Sequence, residues 1–414
     1  MADGRKLRLG IVGLGMAGGL MVPYVAAHPR FMLAGAAEPD ERLQARLRQD
    51  HPVPVVADVA GLVRRDDIDA VYIATPHQFH REHLLLAAAH GKHAIVEKPM
   101  ALSLADCDAM IAAADRAQVV LIVGHTHGFD PTVARIRELA RDEDFGSPVM
   151  LVMANYTDFL YRPRRPEELD TARGGGILFN QIPHQVDIAR LLADAPVRSV
   201  RASAWRLDAA RPTEGACMAM LGFANGAAAS LAYSGYDRFD SDELHGWIGS
   251  TGRPRTPRHG ASRRALAELS GATEAKEAAG AAGARRAAET KGAASAPGER
   301  ERELRTLRYG YGGGAFPTTG SPTHPPHFGS LIASYQRADV RTTPTGLAVY
   351  DEGGVRTIDV DPRADGRRRV LDELAAAVLD GAPPVHDGRF GRGTVATALA
   401  IRQSAQQQRE ILLD

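Results

Sequence analysis

An apolar strand that runs directly into a glycine-rich turn lies near the start of the chain and constrains its fold most strongly. Residues 9–18 read Leu-Gly-Ile-Val-Gly-Leu-Gly-Met-Ala-Gly, so the pattern G-x-G-x-x-G follows the strand at once. In such a loop Gly13 permits a tight turn, Gly15 lets the backbone approach a pyrophosphate, and Gly18 lets the next helix pack closely. The N–H groups and positive dipole at the start of that helix suit a diphosphate. We predict a dinucleotide-binding domain here; the alternative is a glycine turn in an unrelated α/β domain.

A carboxylate stands where a dinucleotide-binding fold needs one for the ribose. The second apolar strand, Phe31–Ala37, is followed by Glu38, twenty residues after Gly18. A carboxylate there accepts hydrogen bonds from ribose hydroxyls and repels a 2′-phosphate, so the sequence favours NAD over NADP. The nearby Arg42 weakens that preference.

Charge and cysteine content limit the compartment and the partners. The 414 residues include 50 Lys plus Arg and 50 Asp plus Glu, so no overall field favours nucleic acid or a membrane surface. The two cysteines, Cys107 and Cys217, form no C-x-x-C pair, which indicates a reducing compartment without a disulfide framework. The sequence shows no signal-peptide pattern and no apolar run of membrane length. We expect a cytoplasmic protein that binds neither nucleic acid nor membrane.

The rhythm of apolar segments changes near residue 146 and predicts two domains. Before it, strand and helix patterns alternate, as in a doubly wound parallel sheet whose ligand lies at the carboxyl ends of the strands. After it, longer strand patterns surround one helix, which indicates a largely antiparallel sheet. The predicted class is α/β, with a Rossmann domain at 1–125 and a substrate domain at 126–414. The predicted later strands and helices are Met150–Tyr156, Ile182–Leu192, Val200–Leu207, Ala216–Phe223, Ala227–Ser234, Leu331–Tyr335, Gly346–Tyr350, Val370–Leu379 and Gly393–Gln408.

A low-complexity insertion at about 252–325 interrupts the second domain. Its central part, Ser270–Glu303, contains no Leu, Ile, Val, Met, Phe, Tyr or Trp and is built from Ala, Gly, Glu, Arg and Lys. Such a composition cannot bury a core, although its alanine content permits helix. We interpret the insertion as a disordered or loosely helical spacer.

Two polar segments follow buried strand patterns and are therefore expected at the carboxyl ends, beside the nucleotide. Thr75–His80 follows one strand and Glu97–Pro99 follows the next. Lys98 is thereby predicted near the nicotinamide, the alternative being an exposed lysine at a strand end. The predicted cofactor-binding residues are Gly13, Gly15, Met16, Ala17, Gly18, Glu38, Thr75, Pro76, His80, Glu97 and Lys98.

A third segment, 174–187, begins with three consecutive glycines, which indicates a close approach of the backbone. Asn180 and His184 are four residues apart and are predicted on one helix face. A histidine there can take a hydroxyl proton near neutral pH, whereas the alternative is a structural histidine. We predict Lys98, His184 and Asn180 as the catalytic group.

The glycine loop, the Glu97–Lys98–Pro99 segment and the triple glycine with His184 together resemble the Gfo/Idh/MocA oxidoreductase family. The resemblance covers nearly the whole chain except the insertion. It implies that Lys98 and His184 act at the substrate, and that an open sheet in the second domain covers the active site and builds homo-oligomer contacts. Many members carry aspartate where this chain has Asn180. An amide does not stabilise an imidazolium by charge, so His184 is expected to be a weaker base or Lys98 to carry more of the proton transfer.

Within that family, three segments are similar to the phthalate 4,5-cis-dihydrodiol dehydrogenases: 76–80, 124–127 and 156–166. The resemblance implies oxidation of a carboxylated ring cis-diol to a catechol. Arginines between the first strand of the second domain and the catalytic helix suit carboxylates, and aromatic residues there suit a ring. The alternative is a solvated charged loop in which acidic neighbours pair with the arginines. The predicted substrate-binding residues are Tyr156, Tyr161, Arg162, Arg164, Arg165 and Arg173.

Other functions remain open from the sequence. Histidines at 77, 80, 83, 125 and 127 suggest a metal, but no acidic or cysteine ligand set accompanies them, so none is predicted. NAD-dependent oxidation of 4,5-dihydro-4,5-dihydroxyphthalate is preferred over a sugar or cyclitol dehydrogenase. A non-enzymatic nucleotide-binding regulator, with the insertion as its working surface, is the further alternative. The substrate is expected to be a small anion.

Overall fold

The computed structural model describes residues 5–268, 297–314, 322–363 and 366–413. Within these ranges, no helix combines the length and the apolar character that crossing a membrane requires.

Six strands of the described chain form a parallel sheet in the N-terminal part. They are β1 (Leu7–Val12), β2 (Phe31–Ala37), β3 (Val55–Val56), β4 (Ala70–Ile73), β5 (His93–Glu97) and β6 (Leu121–Gly124). Their order is β3-β2-β1-β4-β5-β6. Continuous apolar runs allow these segments to form a parallel sheet, because the strands of such a sheet are covered on both faces. All four residues of β4, for example, are buried. The strand order reverses between β1 and β4, which leaves a crevice at their carboxyl ends.

The helices of this domain cover both faces of the sheet. They are α1 (Met16–Ala27), α2 (Glu41–Asp50), α3 (Val59–Val63), α4 (His80–Ala89) and α5 (Leu104–Ala117). Side-chain caps begin α2 and α5, where Asp40 accepts from the Arg42 N–H and Ser103 from the Asp106 N–H. Helix α1 begins at Gly15 without a side-chain cap, so its first N–H groups remain available at the crevice.

A nine-stranded sheet dominates the described part of the second domain. Its strands are β7 (Pro148–Tyr156), β8 (Val197–Trp205), β9 (Ala216–Phe223), β10 (Ala228–Ser234), β11 (Ser330–Tyr335), β12 (Asp339–Thr343), β13 (Gly346–Asp351), β14 (Gly354–Asp359) and β15 (Ile411–Leu412). Their order is β14-β13-β12-β11-β7-β10-β9-β8-β15. Only β7 and β10 pair in parallel, and the other pairs are antiparallel. The predicted α/β class, with a parallel and a largely antiparallel sheet, is confirmed.

Three helices precede β8 in this domain: α6 (Pro131–Asp142), α7 (Gly176–Asn180) and α8 (Ile182–Ala193). Apolar side chains of α6 and α8, such as Ile136 and Val186, share one core with sheet residues such as Leu151 and Leu221. Alternation explains the exposed outer face, because successive residues of a strand point to opposite sides.

The ends of the insertion are folded. A helix α9 occupies 261–268, and α10 spans Pro297–Tyr309. Of the two expected states, disordered or loosely helical, these two stretches are helical. Polar side chains of α10 form ion pairs with other parts of the protein instead of building a core of their own. The rest of the low-complexity stretch, 269–296, lies outside the described residues.

The C-terminal part of the described chain has two long helices, of which the first returns to the first domain. They are α11 (Gly366–Leu379) and α12 (Gly388–Gln407). Val370, Leu371 and Leu374 of α11 are fully buried in the same core as Leu9 of β1. Helix α11 therefore belongs to the predicted second domain along the chain, but it completes the core of the first domain in space.

Candidate active site

A cleft of about 1580 Å³ lies between the carboxyl ends of the parallel sheet and the second domain. The glycine loop and Glu38 line one end, and Lys98, His184 and Phe328 line the other. The chain thus brings the predicted cofactor segments and the predicted catalytic segments to one opening.

The glycine loop has the geometry that a dinucleotide diphosphate requires. Gly13 adopts φ +90°, where only glycine is unstrained. A Cβ on Gly18 would lie 1.9 Å from the Gly13 carbonyl oxygen, so this helix position must be glycine. A Cβ on Gly15 would meet nothing within 4 Å, which leaves open space beside the uncapped start of α1. These residues, with Met16 and Ala17, therefore fit a bound diphosphate.

Glu38 at the end of β2 holds the glycine loop as well as lining the cleft. Its Oε2 accepts from the Leu14 N–H at 2.6 Å, and its Oε1 accepts from the Asp40 N–H at 3.0 Å. Each carboxylate oxygen has further acceptor capacity, so a ribose hydroxyl can still be bound. Arg42 is paired with Asp40 at 2.9 Å, which reduces its availability for a 2′-phosphate.

Lys98 is held at the centre of the cleft by contacts from both domains. Its Nζ donates to the Asn180 carbonyl oxygen at 2.8 Å. The preceding Glu97 accepts from the hydroxyl of the buried Tyr72 and from the Lys98 N–H. Burial lowers the pKa of Lys98 to about 8, against the opposing effect of the Glu97 charge. This amine can exchange a proton near physiological pH.

His184 is a buried, neutral histidine next to Lys98. Burial and the nearby Lys98 charge hold the pKa of His184 well below its usual range. Its ring is centred 4.8 Å from the rings of His127 and Phe328, and its Nδ1 is buried without a hydrogen-bond partner among the described residues. His184 lines the cleft, so its neutral imidazole can interact with a substrate hydroxyl there.

Asn180 reaches the cleft from a different helix than predicted. It ends α7, and α8 starts two residues later, so Asn180 and His184 do not share one continuous helix. Pro183 explains the break, because it has no N–H to continue the helix and suits a first turn. The Asn180 amide donates to the carbonyl oxygens of Gly174 and Gly176 at 3.1 and 2.8 Å, which fixes the triple-glycine turn.

The Thr75–His80 segment also lies at the predicted edge, but its residues differ in position. Thr75 and Pro76 line the cleft. His80 is fully buried behind them, and its ring nitrogens lie 2.9 Å from the Thr75 carbonyl oxygen and 3.0 Å from that of Pro99. Direct contact of His80 with a cofactor is therefore not supported; its position ties the two cofactor loops together.

Most predicted substrate-binding residues face away from the cleft. Tyr161 is buried with its hydroxyl on Asp208, and Arg164 is buried over the Phe159 ring, where it donates to that residue's carbonyl oxygen. Arg173 is exposed, and Tyr156 contacts Phe239. Two members of the predicted set, Arg162 and Arg165, do line the cleft. Arg164 and Arg165 both contact Glu168, as the alternative of a paired loop expects, but Arg164 is buried and not solvated.

The sequence did not predict where these side chains point, because short 3-10 turns determine their orientation. The segment folds as Phe159–Tyr161, Pro166–Leu169 and Thr171–Arg173 turns, which have no helix or strand periodicity to read. The three glycines that follow approach other residues of the protein closely, and not the open space of the cleft. A Cβ on Gly176 would lie 2.1 Å from the Thr213 hydroxyl oxygen.

Several cleft residues carry no signal in a motif. Phe328, next to His184, supplies the aromatic surface that was predicted for Tyr156 and Tyr161. Arg255 and Arg305 line the same cleft from the edges of the insertion. The only sequence signal for these cleft residues is a local composition rich in Arg, His and Pro, which is common in surface loops.

The crowded histidines do not form a ligand cluster in the described chain. Residues 5–268, 297–314, 322–363 and 366–413 contain no group of three or more His, Cys, Asp or Glu placed to hold a metal ion. His77 and His80 instead contact each other edge to face, and His83 lies 2.9 Å from the Thr75 hydroxyl.

A doubly wound sheet with a fitted dinucleotide loop, opening onto a lysine and a neutral histidine, defines a dinucleotide-dependent oxidoreductase. The chain belongs to the Gfo/Idh/MocA family. Residues 7–125 match the model described as oxidoreductase family, NAD-binding Rossmann fold, and residues 133–253 match the GFO/IDH/MocA C-terminal domain. The predicted family, NAD cofactor and oxidoreductase activity are confirmed.

Relatives cover almost the whole chain. The 1-carboxy-3-chloro-3,4-dihydroxycyclo hexa-1,5-diene dehydrogenase of Comamonas testosteroni is 37% identical over 404 residues, which are 97% of this chain and 96% of the relative. The crystal structure of a protein assigned as a dehydrogenase from Bordetella bronchiseptica RB50 is 40% identical with a TM-score of 0.87, over 99% of this chain and 100% of that one. Myo-inositol 2-dehydrogenase of Thermotoga maritima is 27% identical over 47% of this chain and 57% of its own length.

Proposed function

We propose that this enzyme oxidises a carboxylated cyclohexadiene cis-diol to the corresponding catechol, with 4,5-dihydro-4,5-dihydroxyphthalate as the first candidate substrate. The observation that carries the proposal is the set of arginines, among them Arg162 and Arg165, that line the same cleft as Lys98 and His184. The name of the 37% identical relative, a carboxylated cyclohexadiene-diol dehydrogenase, supports the same substrate class.

Arg162 is the best placed of these arginines for a substrate carboxylate. Its Nε donates to Asp158 Oδ1 at 2.7 Å, and the other oxygen of Asp158 accepts from the Ser262 hydroxyl at 2.6 Å. The side chain of Arg162 lines the cleft. A guanidinium carries five N–H donors, so a fixed Arg162 retains donors for a bidentate carboxylate.

The residues around Lys98 divide the chemical work. NAD, when bound, supplies the hydride acceptor at the Lys98 end of the cleft. Lys98, with a pKa of about 8, accepts the proton of the reacting hydroxyl, and neutral His184 orients that hydroxyl or shares the proton. Phe328 offers a flat surface for the ring. Loss of a hydride and a proton from a cyclohexadiene diol gives a hydroxyketone, whose tautomerisation to an aromatic catechol makes the step effectively irreversible.

The test is NADH formation at 340 nm with purified protein and a substrate panel. The panel contains the phthalate cis-4,5-dihydrodiol, a monocarboxylated cis-dihydrodiol, benzene cis-dihydrodiol, inositol and glucose. Activity confined to the carboxylated diols supports the proposal. Activity on benzene cis-dihydrodiol at equal kcat/KM contradicts a role for the arginines.

Two arginine variants sharpen the test. Arg162→Met is expected to raise KM for a carboxylated diol about 10- to 100-fold, since a charged hydrogen bond contributes about 1.5–3 kcal/mol. Arg173→Met is the matched control, because Arg173 is exposed and does not line the cleft. Equal effects of the two substitutions would remove the support from Arg162.

A sugar or cyclitol is the second candidate substrate class. The partial match to the Thermotoga maritima myo-inositol 2-dehydrogenase favours it. Strong oxidation of inositol or glucose in the panel, without oxidation of the carboxylated diols, would select this class.

We also propose a homo-oligomer that associates through the nine-stranded sheet, in a reducing cytoplasmic setting. Apolar side chains are exposed on its outer face, among them Met150 on β7, Ile332 on the adjacent β11, and Met218 and Met220 on β9, which β10 separates from β7. Exposed apolar side chains on one sheet face are typical of a protein interface. The thiols of Cys107 and Cys217 are free and buried, which agrees with a reducing compartment.

A further inference from the structure

Helix α10 is anchored to the second domain by a buried ion pair. Glu301 accepts from both terminal nitrogens of Arg211, at 2.8 and 3.0 Å, and also from the Arg164 N–H at 3.1 Å. The two side chains of the pair are only 6% and 15% exposed. A two-pronged pair at this burial is geometrically specific and much less screened than one at the surface.

A second contact fixes the middle of the same helix to the loop that carries Arg162. The Arg305 guanidinium lies 2.7 Å from Glu168 and donates to the Pro163 carbonyl oxygen at 3.2 Å. Arg302, one turn earlier, pairs with Glu167 but is half exposed. The buried side of α10 therefore faces the second domain and the cleft.

The other end of α10 reaches the glycine loop. Immediately after the helix, the Tyr311 N–H donates to the Leu14 carbonyl oxygen at 2.9 Å. The Leu14 N–H is held by Glu38 at 2.6 Å. Both backbone polar groups of Leu14, inside G-x-G-x-x-G, are therefore bound, the N–H by the residue that follows β2 and the carbonyl oxygen by the insertion. Helix α1 and the residues after α10 lie close together, since a Cβ on Gly19 would lie 3.0 Å from the Tyr311 Cα.

The cleft-facing side of α10 lies at the adenosine end. Thr306, Arg308 and Gly310 line the cleft together with Glu38 and Leu43. The family models end at residue 253 before this helix, so neither accounts for it.

We propose that α10 is a positioning element for the dinucleotide. Through Glu301 and Tyr311 it spans the two domains, keeps the glycine loop in its diphosphate-binding shape, and forms the outer wall beside the adenosine ribose. On this proposal, residues 297–314 of the insertion belong to the cofactor site. This inference rests on NAD binding alone and is independent of the proposed substrate.

The experiment measures NADH binding to the full-length protein by fluorescence titration, without substrate. Glu301→Gln keeps an acceptor for the Arg164 N–H but removes the charge that holds Arg211, and Arg302→Gln is the matched control on the exposed side of the same helix. We expect Glu301→Gln to raise the Kd for NADH about tenfold or more, equivalent to about 1.4 kcal/mol. Arg302→Gln should stay within about twofold of the wild type. In turnover, Glu301→Gln should raise KM for NAD⁺ and leave kcat nearly unchanged.

Limited trypsin digestion of the wild-type protein provides an independent measurement. Cleavage after Arg305 and Arg308, followed by mass spectrometry, should slow at least fivefold at saturating NADH, because the bound dinucleotide holds α10 in place. Protection together with selective weakening in Glu301→Gln supports the proposal. An unchanged Kd in Glu301→Gln, equal weakening in Arg302→Gln, or absent protection each overturns it.

Discussion

The pH dependence of Lys98 offers the sharpest test of how the proton leaves the substrate. Burial lowers the pKa of its amine to about 8. If neutral Lys98 accepts the proton, about a tenth of the molecules are competent at pH 7 and about nine tenths at pH 9. The rate should therefore rise about eight- to tenfold over this interval and level off above it. The assay is kcat/KM from pH 6 to 9.5, because this ratio reports the pKa of the enzyme before the varied substrate binds.

Substitutions at Lys98 separate proton transfer from simple charge stabilisation. Lys98→Arg keeps a cation that does not deprotonate in this range, so it should lose at least about 100-fold in kcat and lose the rising limb. Its NADH affinity should change little. A flat wild-type profile, or substantial activity in Lys98→Arg, would refute the reasoning. It would assign the proton to His184, whose pKa lies well below its usual range and which therefore stays neutral throughout.

Three further predictions follow from burial and close contacts. Gly18→Ala should weaken NADH binding about 100-fold or more, because its Cβ would lie 1.9 Å from the Gly13 carbonyl oxygen; titration with near-normal affinity would contradict this. Burial raises the pKa of Asp187 to about 7, so the folded state holds a proton that the unfolded chain releases above about pH 4. The contribution of Asp187 to stability is thus lost between about pH 4 and 7. Asp187→Asn, which does not titrate, should therefore gain on the order of 2 kcal/mol relative to the wild type on going from pH 5 to pH 8; equal differences in unfolding free energy at both pH values would oppose this. Met220→Glu, at a side chain 62% exposed on the outer sheet face, should lower the molar mass measured by light scattering, and an unchanged mass would count against that interface.

The sequence was most informative where function depends on backbone shape. The glycine loop, Glu38 and the Lys98 segment could be placed because strand ends and glycine spacing are local properties of a few residues. Their positions at one edge of the sheet follow from the parallel topology. The approximate place of His184 was predictable for the same reason, although the helix break before it was not.

Side-chain orientation and contacts between residues far apart in the chain could not be predicted from the sequence. Arg162 and Arg164 are two residues apart in an irregular segment, yet one lines the cleft and the other is buried over Phe159. The anchoring of α10 depends on Arg211 and Glu301, which are 90 residues apart in the chain. Composition alone made that helix resemble a spacer, since its stabilising contacts are ion pairs with distant partners and not an apolar face.

The return of α11 to the parallel sheet has a consequence for biosynthesis. Its residues Val370, Leu371 and Leu374 close a core that includes Leu9, so this core is completed only after strands β7 to β14 of the second domain have been translated. On the ribosome, the apolar surface that α11 covers stays open until residues 366–379 have emerged. A nonsense mutation between β14 and α11 would therefore damage the dinucleotide domain although it lies more than 200 residues beyond β6. The N-terminal 125 residues expressed alone should aggregate instead of folding as an autonomous cofactor-binding module.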